Sequence, residues 1–89
     1  MENLKKELRQ GVSEIRSRYE DECKQFTTDL FDDIEVDIED ITSQEVAVIL
    51  GSISYRISIA FEIVDPSLMD SLAIRDLTKL FDKYSKQYE

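Results

Sequence analysis

Eighty-nine residues make a single domain, 1–89, long enough to bury a core without disulfide or metal staples. With 42% apolar and 35% charged residues the chain is globular rather than disordered, and no apolar run reaches the roughly 18 residues of a membrane span. The net charge is -9, and the absence of histidine removes the usual general base at neutral pH and the commonest metal ligand. The single cysteine, Cys23, excludes an internal disulfide. The opening Met1-Glu2-Asn3-Leu4-Lys5-Lys6 lacks the apolar stretch of a secretory peptide, so a reducing, cytoplasmic setting is expected.

Residues 4–30 carry a helical stripe. Leu4, Leu8, Val12, Ile15, Tyr19, Cys23, Phe26 and Leu30 recur at spacings of three and four. Glu14 with Arg18 and Glu20 with Lys24 supply i,i+4 pairs on the other faces. Asn3 fits an N-cap, and Gly11 is a weak point. Such a helix would be about 40 Å long, with Cys23 packed as a small hydrophobe on its stripe.

Residues 34–63 are dominated by β-branched side chains, which suit pleated sheets. Ile34, Val36 and Ile38 alternate with Glu35, Asp37 and Glu39. Ile53, Tyr55, Ile57, Ile59, Phe61 and Ile63 alternate with Ser52, Ser54, Arg56, Ser58, Ala60 and Glu62. Gly51-Ser52 fits a two-residue hairpin turn that pairs Leu50 with Ile53, Val48 with Tyr55 and Val46 with Ile57. Asp65 and Pro66 then open a second helix over 66–88, with Leu72, Leu77, Leu80, Phe81, Tyr84 and Tyr88 as its apolar face. The expected fold class is therefore α+β, in the order α-β-β-β-α. An antiparallel three-stranded meander is flanked by a long N-terminal helix and a C-terminal one.

An all-α three-helix bundle is the alternative. Thr42-Ser43-Gln44-Glu45 has the form of a capping box, with Ile41 and Val46 as its hydrophobic staple. Val46, Ile49, Leu50, Ile53, Ile57, Phe61 and Val64 also share one helical stripe. Gly51, three serines and the off-stripe Val48, Tyr55, Ile59 and Ile63 speak against it.

Several segments resemble known families. Ile34-Glu35-Val36, Val46-Ala47-Val48 running to Gly51, Phe61-Glu62-Ile63-Val64-Asp65-Pro66-Ser67-Leu68-Met69 and Asp76-Leu77 resemble the YbaB/EbfC nucleoid-associated family over roughly residues 34–84. The glycine-rich connection of that family is replaced here by Asp37 to Glu45, the third strand is longer, and the small-residue run after the Asp-Leu pair is missing. The resemblance implies a DNA-binding dimer, although no DNA-contacting residue transfers by motif. Ile41 to Gly51 is similar to the first helix and turn of excisionase-type helix-turn-helix proteins. Its recognition segment, Ser54 to Phe61, would hold only Arg56 as a base, where a DNA reader needs several cations. Asp70-Ser71-Leu72 resembles the acyl-carrier attachment site, but only 17 residues follow it.

The charge excess is local. Residues 31–50 hold seven acids and no base, whereas residues 66–89 hold four of each. The calcium-loop pattern of glycine and glutamate is absent from this stretch, and on a strand its alternate carboxylates would stand about 6.6 Å apart, too far to share an ion. No cofactor, metal or catalytic residue is expected. Two roles fit the acids. Outward charges shield a sheet edge from pairing with another chain. Alternatively Asp32, Asp33, Glu35, Asp37, Glu39 and Asp40 form a face for a basic partner protein.

The expected function is a small non-enzymatic binding protein of inhibitor, immunity or nucleic-acid-mimic type. Direct nucleic-acid binding is disfavoured by the same charge. A nucleoid-associated dimer and an adaptor subunit are the alternatives, with the N-terminal helix as the surface for a second copy.

Overall fold

The N-terminal stripe folds as two helices rather than one. The computed structural model describes residues 1–63, residue 63 by its backbone alone, and residues 65–88. It runs α1 (Glu2–Tyr19), α2 (Gln25–Glu39), α3 (Val46–Ile63) and α4 (Leu68–Ser85), with short 3-10 turns at Glu20–Glu22 and Lys86–Tyr88. Leu4, Leu8, Val12 and Ile15 are buried on α1. Beyond Tyr19 the chain tightens, then turns extended at Cys23 and Lys24 (ψ 152° and 164°) before α2 begins. Glu20, Asp21 and Glu22 set three acids at the negative end of the α1 dipole, which disfavours continuation. A single helix of about 40 Å would also overrun the molecule, whose longest extent is 36 Å.

No strand occurs among the described residues. The expected first strand is the second half of α2, and the expected hairpin is the continuous helix α3. The α+β meander is thus replaced by an all-helical fold, and residues 34–36, 46–51 and 61–63, expected as strands in the YbaB/EbfC resemblance, are helical. The all-helical alternative has the right class but one helix too few, because residues 4–30 divide.

Packing explains the outcome. A β-branched residue in a helix costs up to about 0.7 kcal/mol, whereas burying a whole aliphatic side chain contributes about 1.5–3 kcal/mol. Val46, Leu50, Ile53 and Ile57 all lie in the core at helical spacing. The alternation is real but is not used. Residues two apart on a helix differ by about 200°, so Ile53 and Ile57 point inward while Tyr55 points out. Phe61, on the predicted helical stripe, is exposed, and Val64 and the Ile63 side chain lie outside the described residues. Gly51 is no turn residue. It sits in mid-helix, and an added Cβ would meet nothing within 4 Å.

The capping signals hold in part. Thr42 Oγ1 accepts from the Glu45 amide at 3.2 Å, and Ile41 and Val46 are both buried. Asn3 already lies inside α1, with Met1 at the cap. The fourth helix opens two residues later than Asp65-Pro66 suggests, with Ser67 at its N-cap and a complete Ser67–Asp70 capping box.

Sequential helices run antiparallel, up-down-up-down. Arg9 and Arg16 of α1 meet Glu39 and Glu35 of α2. Arg56 of α3 meets Asp37 of α2. Tyr19 of α1 donates to Asp76 of α4 at 2.9 Å, closing the ring. The core is one cluster, with Phe31, Phe81, Leu8, Ile34, Ile53 and Leu77 at its centre.

Asp70 crosses this core. It is fully buried. One carboxylate oxygen accepts from the Lys24 amide (2.9 Å) and the Thr27 hydroxyl (2.8 Å). The other accepts from the Ser67 amide (2.9 Å) and hydroxyl (2.8 Å). Burial alone would raise its pKa, but these hydrogen bonds from Ser67, Lys24 and Thr27 outweigh it and hold the carboxyl at about 2. One side chain therefore completes the α4 capping box and ties Lys24 and Thr27, at the start of α2, to it.

Two outcomes follow in stability measurements. Gly51→Ala should raise the midpoint by several degrees, from about 0.5–1 kcal/mol of helix propensity. Gly11→Ala should give less, because its Cβ would stand 2.9 Å from two Leu80 methyls. Thermal melts of the two variants compare them directly. Because the Asp70 pKa is lowered in the folded state, its stabilisation is complete above about pH 4 and is lost as the pH falls toward 2. Asp70→Asn should cost about 2–3 kcal/mol at neutral pH and flatten that acid limb, as read by urea titrations between pH 2 and 7.

Candidate partner-binding face

The acids of residues 31–50 lie mostly on α2, whose buried stripe is Thr27, Leu30, Phe31, Ile34 and Ile38. A helix with one buried face splits the remaining positions into two flanks and an outer row. The six predicted acids therefore do not form one row. Glu35, Asp37 and Glu39, expected to point one way from a strand, divide, with Glu35 and Glu39 toward α1 and Asp37 toward α3.

Toward α1, Arg16 bridges Asp32 at 2.8 Å and Glu35 at 3.1 Å, besides Glu20 at 2.8 Å in its own helix turn. Arg9 pairs with Glu39, whose carbonyl also accepts from Lys5 Nζ at 2.8 Å. Hydrogen bonding to Glu20 first, then to Asp32 and Glu35, drives the Arg16 pKa up against the opposing effect of burial. Its guanidinium also lies 5.7 Å from the Phe31 ring centre. Toward α3, Arg56 pairs with Asp37. A stretch without one base in sequence is thus neutralised in part by bases from α1 and α3.

What remains faces out. Asp29, Asp33 and Asp40 have no ion-pair partner among the described residues. Together with Val36, 63% exposed, they form one row along α2 and its C-cap at spacings of 4, 3 and 4. Of the six predicted acids only Asp33 and Asp40 belong to it. Asp29 was not among the predicted residues, and a helical count back from Asp33 finds it.

Beside this row lies the outer face of α3. The helix is apolar nearly all round, with Arg56 and Glu62 its only charges. Helices of that kind are usually enclosed. Here Val48 and Tyr55 are 70% and 69% exposed, and Ser52 and Ile59 continue their row. Between the Asp29–Asp33 end of the first row and the Ile59 end of the second is an open groove of about 260 Å³. Phe26, Leu30, Ile59 and Ala60 line it with apolar surface, and Asp29, Asp33 and Arg56 are its charged residues.

Other features are structural. Cys23 is half-buried, and its thiol is pushed up to about 11, by burial first and then by the Asp70 charge. It is a protonated thiol at neutral pH. Among the described residues, no three carboxylates or thiols converge as metal ligands, and no helix is long and apolar enough to cross a membrane. Asp70 of the triplet Asp70-Ser71-Leu72 is committed to capping.

Comparison of the chain with family models, with curated proteins and with solved structures gave no match.

The Arg16 network makes a testable claim. Arg16→Met keeps an apolar stem against Phe31 but leaves Glu20, Asp32 and Glu35 facing one another. It should lower stability by about 1–2 kcal/mol, with part of the loss recovered in 0.5 M salt. An unchanged melting midpoint at low ionic strength would show that the network contributes nothing.

Proposed function

We propose that this protein is a non-enzymatic binding protein whose outer α2–α3 face engages a basic surface of a partner protein, in the manner of an inhibitor, an immunity protein or a nucleic-acid mimic. The observation that carries the reading is the division of the acids. On α2 the acids facing α1 and α3 are ion-paired within the molecule, whereas Asp29, Asp33 and the C-cap Asp40, with no ion pair among the described residues, stand in one outward row beside the exposed Val48 and Tyr55 of α3. Carboxylates needed only for solubility would not have to border exposed valine and tyrosine. An apolar patch with a charged border is the anatomy of a docking surface, and concentrated negative potential favours a cationic partner and speeds its approach.

The other readings draw less support. Leu4, Leu8, Val12 and Ile15, the seam through which the N-terminal helix would meet a second copy, are buried within this chain. A nucleoid-associated role would need duplex contacts from a surface on which the outward row is acidic.

Charge reversal separates these options. Asp29→Lys, Asp33→Lys and Asp40→Lys combined should abolish capture of the partner from source cells at low salt. Reversal of the exposed Glu14 and Asp82, away from this face, should not. Capture that survives the triple reversal would remove the acidic row from the interface, and a gel shift of duplex DNA at low salt would favour the nucleoid reading instead.

A further inference from the structure

The groove between α2 and α3 says what form the partner takes. We infer that it holds an amphipathic helix, with apolar side chains seated between Phe26 and Ile59 and lysine or arginine against Asp29 and Asp33. This rests on the binding-protein reading above and makes it more specific.

Three observations carry it. The first is backbone chemistry. Both walls are helices, and no strand edge exists among the described residues. An extended peptide would find no main-chain partners here, whereas a helix arrives with its own hydrogen bonds satisfied.

The second is shape. Two outward rows, Asp29 to Asp40 and Val48 to Ile59, repeat at spacings of three and four on neighbouring antiparallel helices. Such paired ridges accept a third helix between them. At about 260 Å³ the groove lies below the usual range for an enclosed small-molecule pocket, about 300–1,000 Å³. It suits one or two inserted side chains.

The third is charge. The rim carries Asp29 and Asp33, while Arg56 is occupied by Asp37. A second copy docking by the same face would set two acidic rows together, because a two-fold interface pairs a surface with itself. A cationic helix meets complementary charge instead.

The test uses a synthetic peptide of about 18 residues, roughly 27 Å long as a helix, built from leucine, lysine and alanine with the leucines on one face. A control has the same composition with the leucines spread round the helix. Backbone amide shifts of the isotopically labelled protein are followed by NMR. The amphipathic peptide should bind about tenfold tighter than the control, with shifts gathered at Phe26–Asp33 and Tyr55–Ala60. Ile59→Ser and Ala60→Trp should each remove that preference, with melts confirming that both variants fold. Equal, salt-sensitive binding of the two peptides would overturn the groove inference while leaving the basic-partner reading in place. Binding of neither would overturn both. Groove shifts that depend on protein concentration without peptide would assign the face to a second copy and overturn the inference.

Discussion

One buried carboxylate joins the starts of two helices, and much of the architecture depends on it. Asp70 takes two donors from the beginning of α4 and two from the beginning of α2. Without it the Lys24 and Ser67 amides, one at each helix start, would lose these partners. It holds Lys24 and Thr27 at the point where the first apolar stripe is cut. The cut lets α2 fold back along α1, and that reversal brings Arg16 to Asp32 and Glu35. Beside it the Cys23 thiol stays protonated and adds no second negative charge to the site.

The surface follows from two conflicting demands on α2 and α3. α2 must bury one stripe while carrying a run of acids, so its flanks borrow cations from neighbours and its outer row keeps its charge. α3 has too few polar residues to cover its outer side, so Val48 and Tyr55 remain in water. The two helices pack side by side, and their unsatisfied properties meet along one groove. Neither half alone distinguishes this face from an ordinary surface. Acids are common on solvated helices, and single exposed apolar residues are normal.

The sequence discloses its helices unevenly. The buried residues of α1, and of α4 from Leu77 onward, follow directly from their spacing. α3 was written twice, once as alternation and once as a stripe, and local preference favoured the wrong version. Its core positions Val46, Leu50, Ile53 and Ile57 decide the matter only when other helices are present to receive them. The break at residues 20–24 has no glycine or proline to announce it. Its one local trace is the run Glu20-Asp21-Glu22 at a helix C-terminus, and the carboxylate that holds the extended turn, Asp70, lies 46 positions from Lys24. The candidate face was half legible. The excess of acid was plain, but which acids are free depends on Arg9, Arg16 and Arg56 arriving from elsewhere in the chain.

The strand-like alternation of α3 has a meaning even though the folded chain ignores it. From Val46 to Tyr55 the segment is uncharged, free of proline and rich in β-branched residues, the composition that stacks into cross-β aggregates once exposed. Helix formation and core burial keep that tendency silent. When the bundle opens, the acids just before the segment become its gatekeepers, repelling neighbouring chains whose own α3 segments are exposed. The same carboxylates thus protect the unfolded chain whether or not they are paired in the folded one.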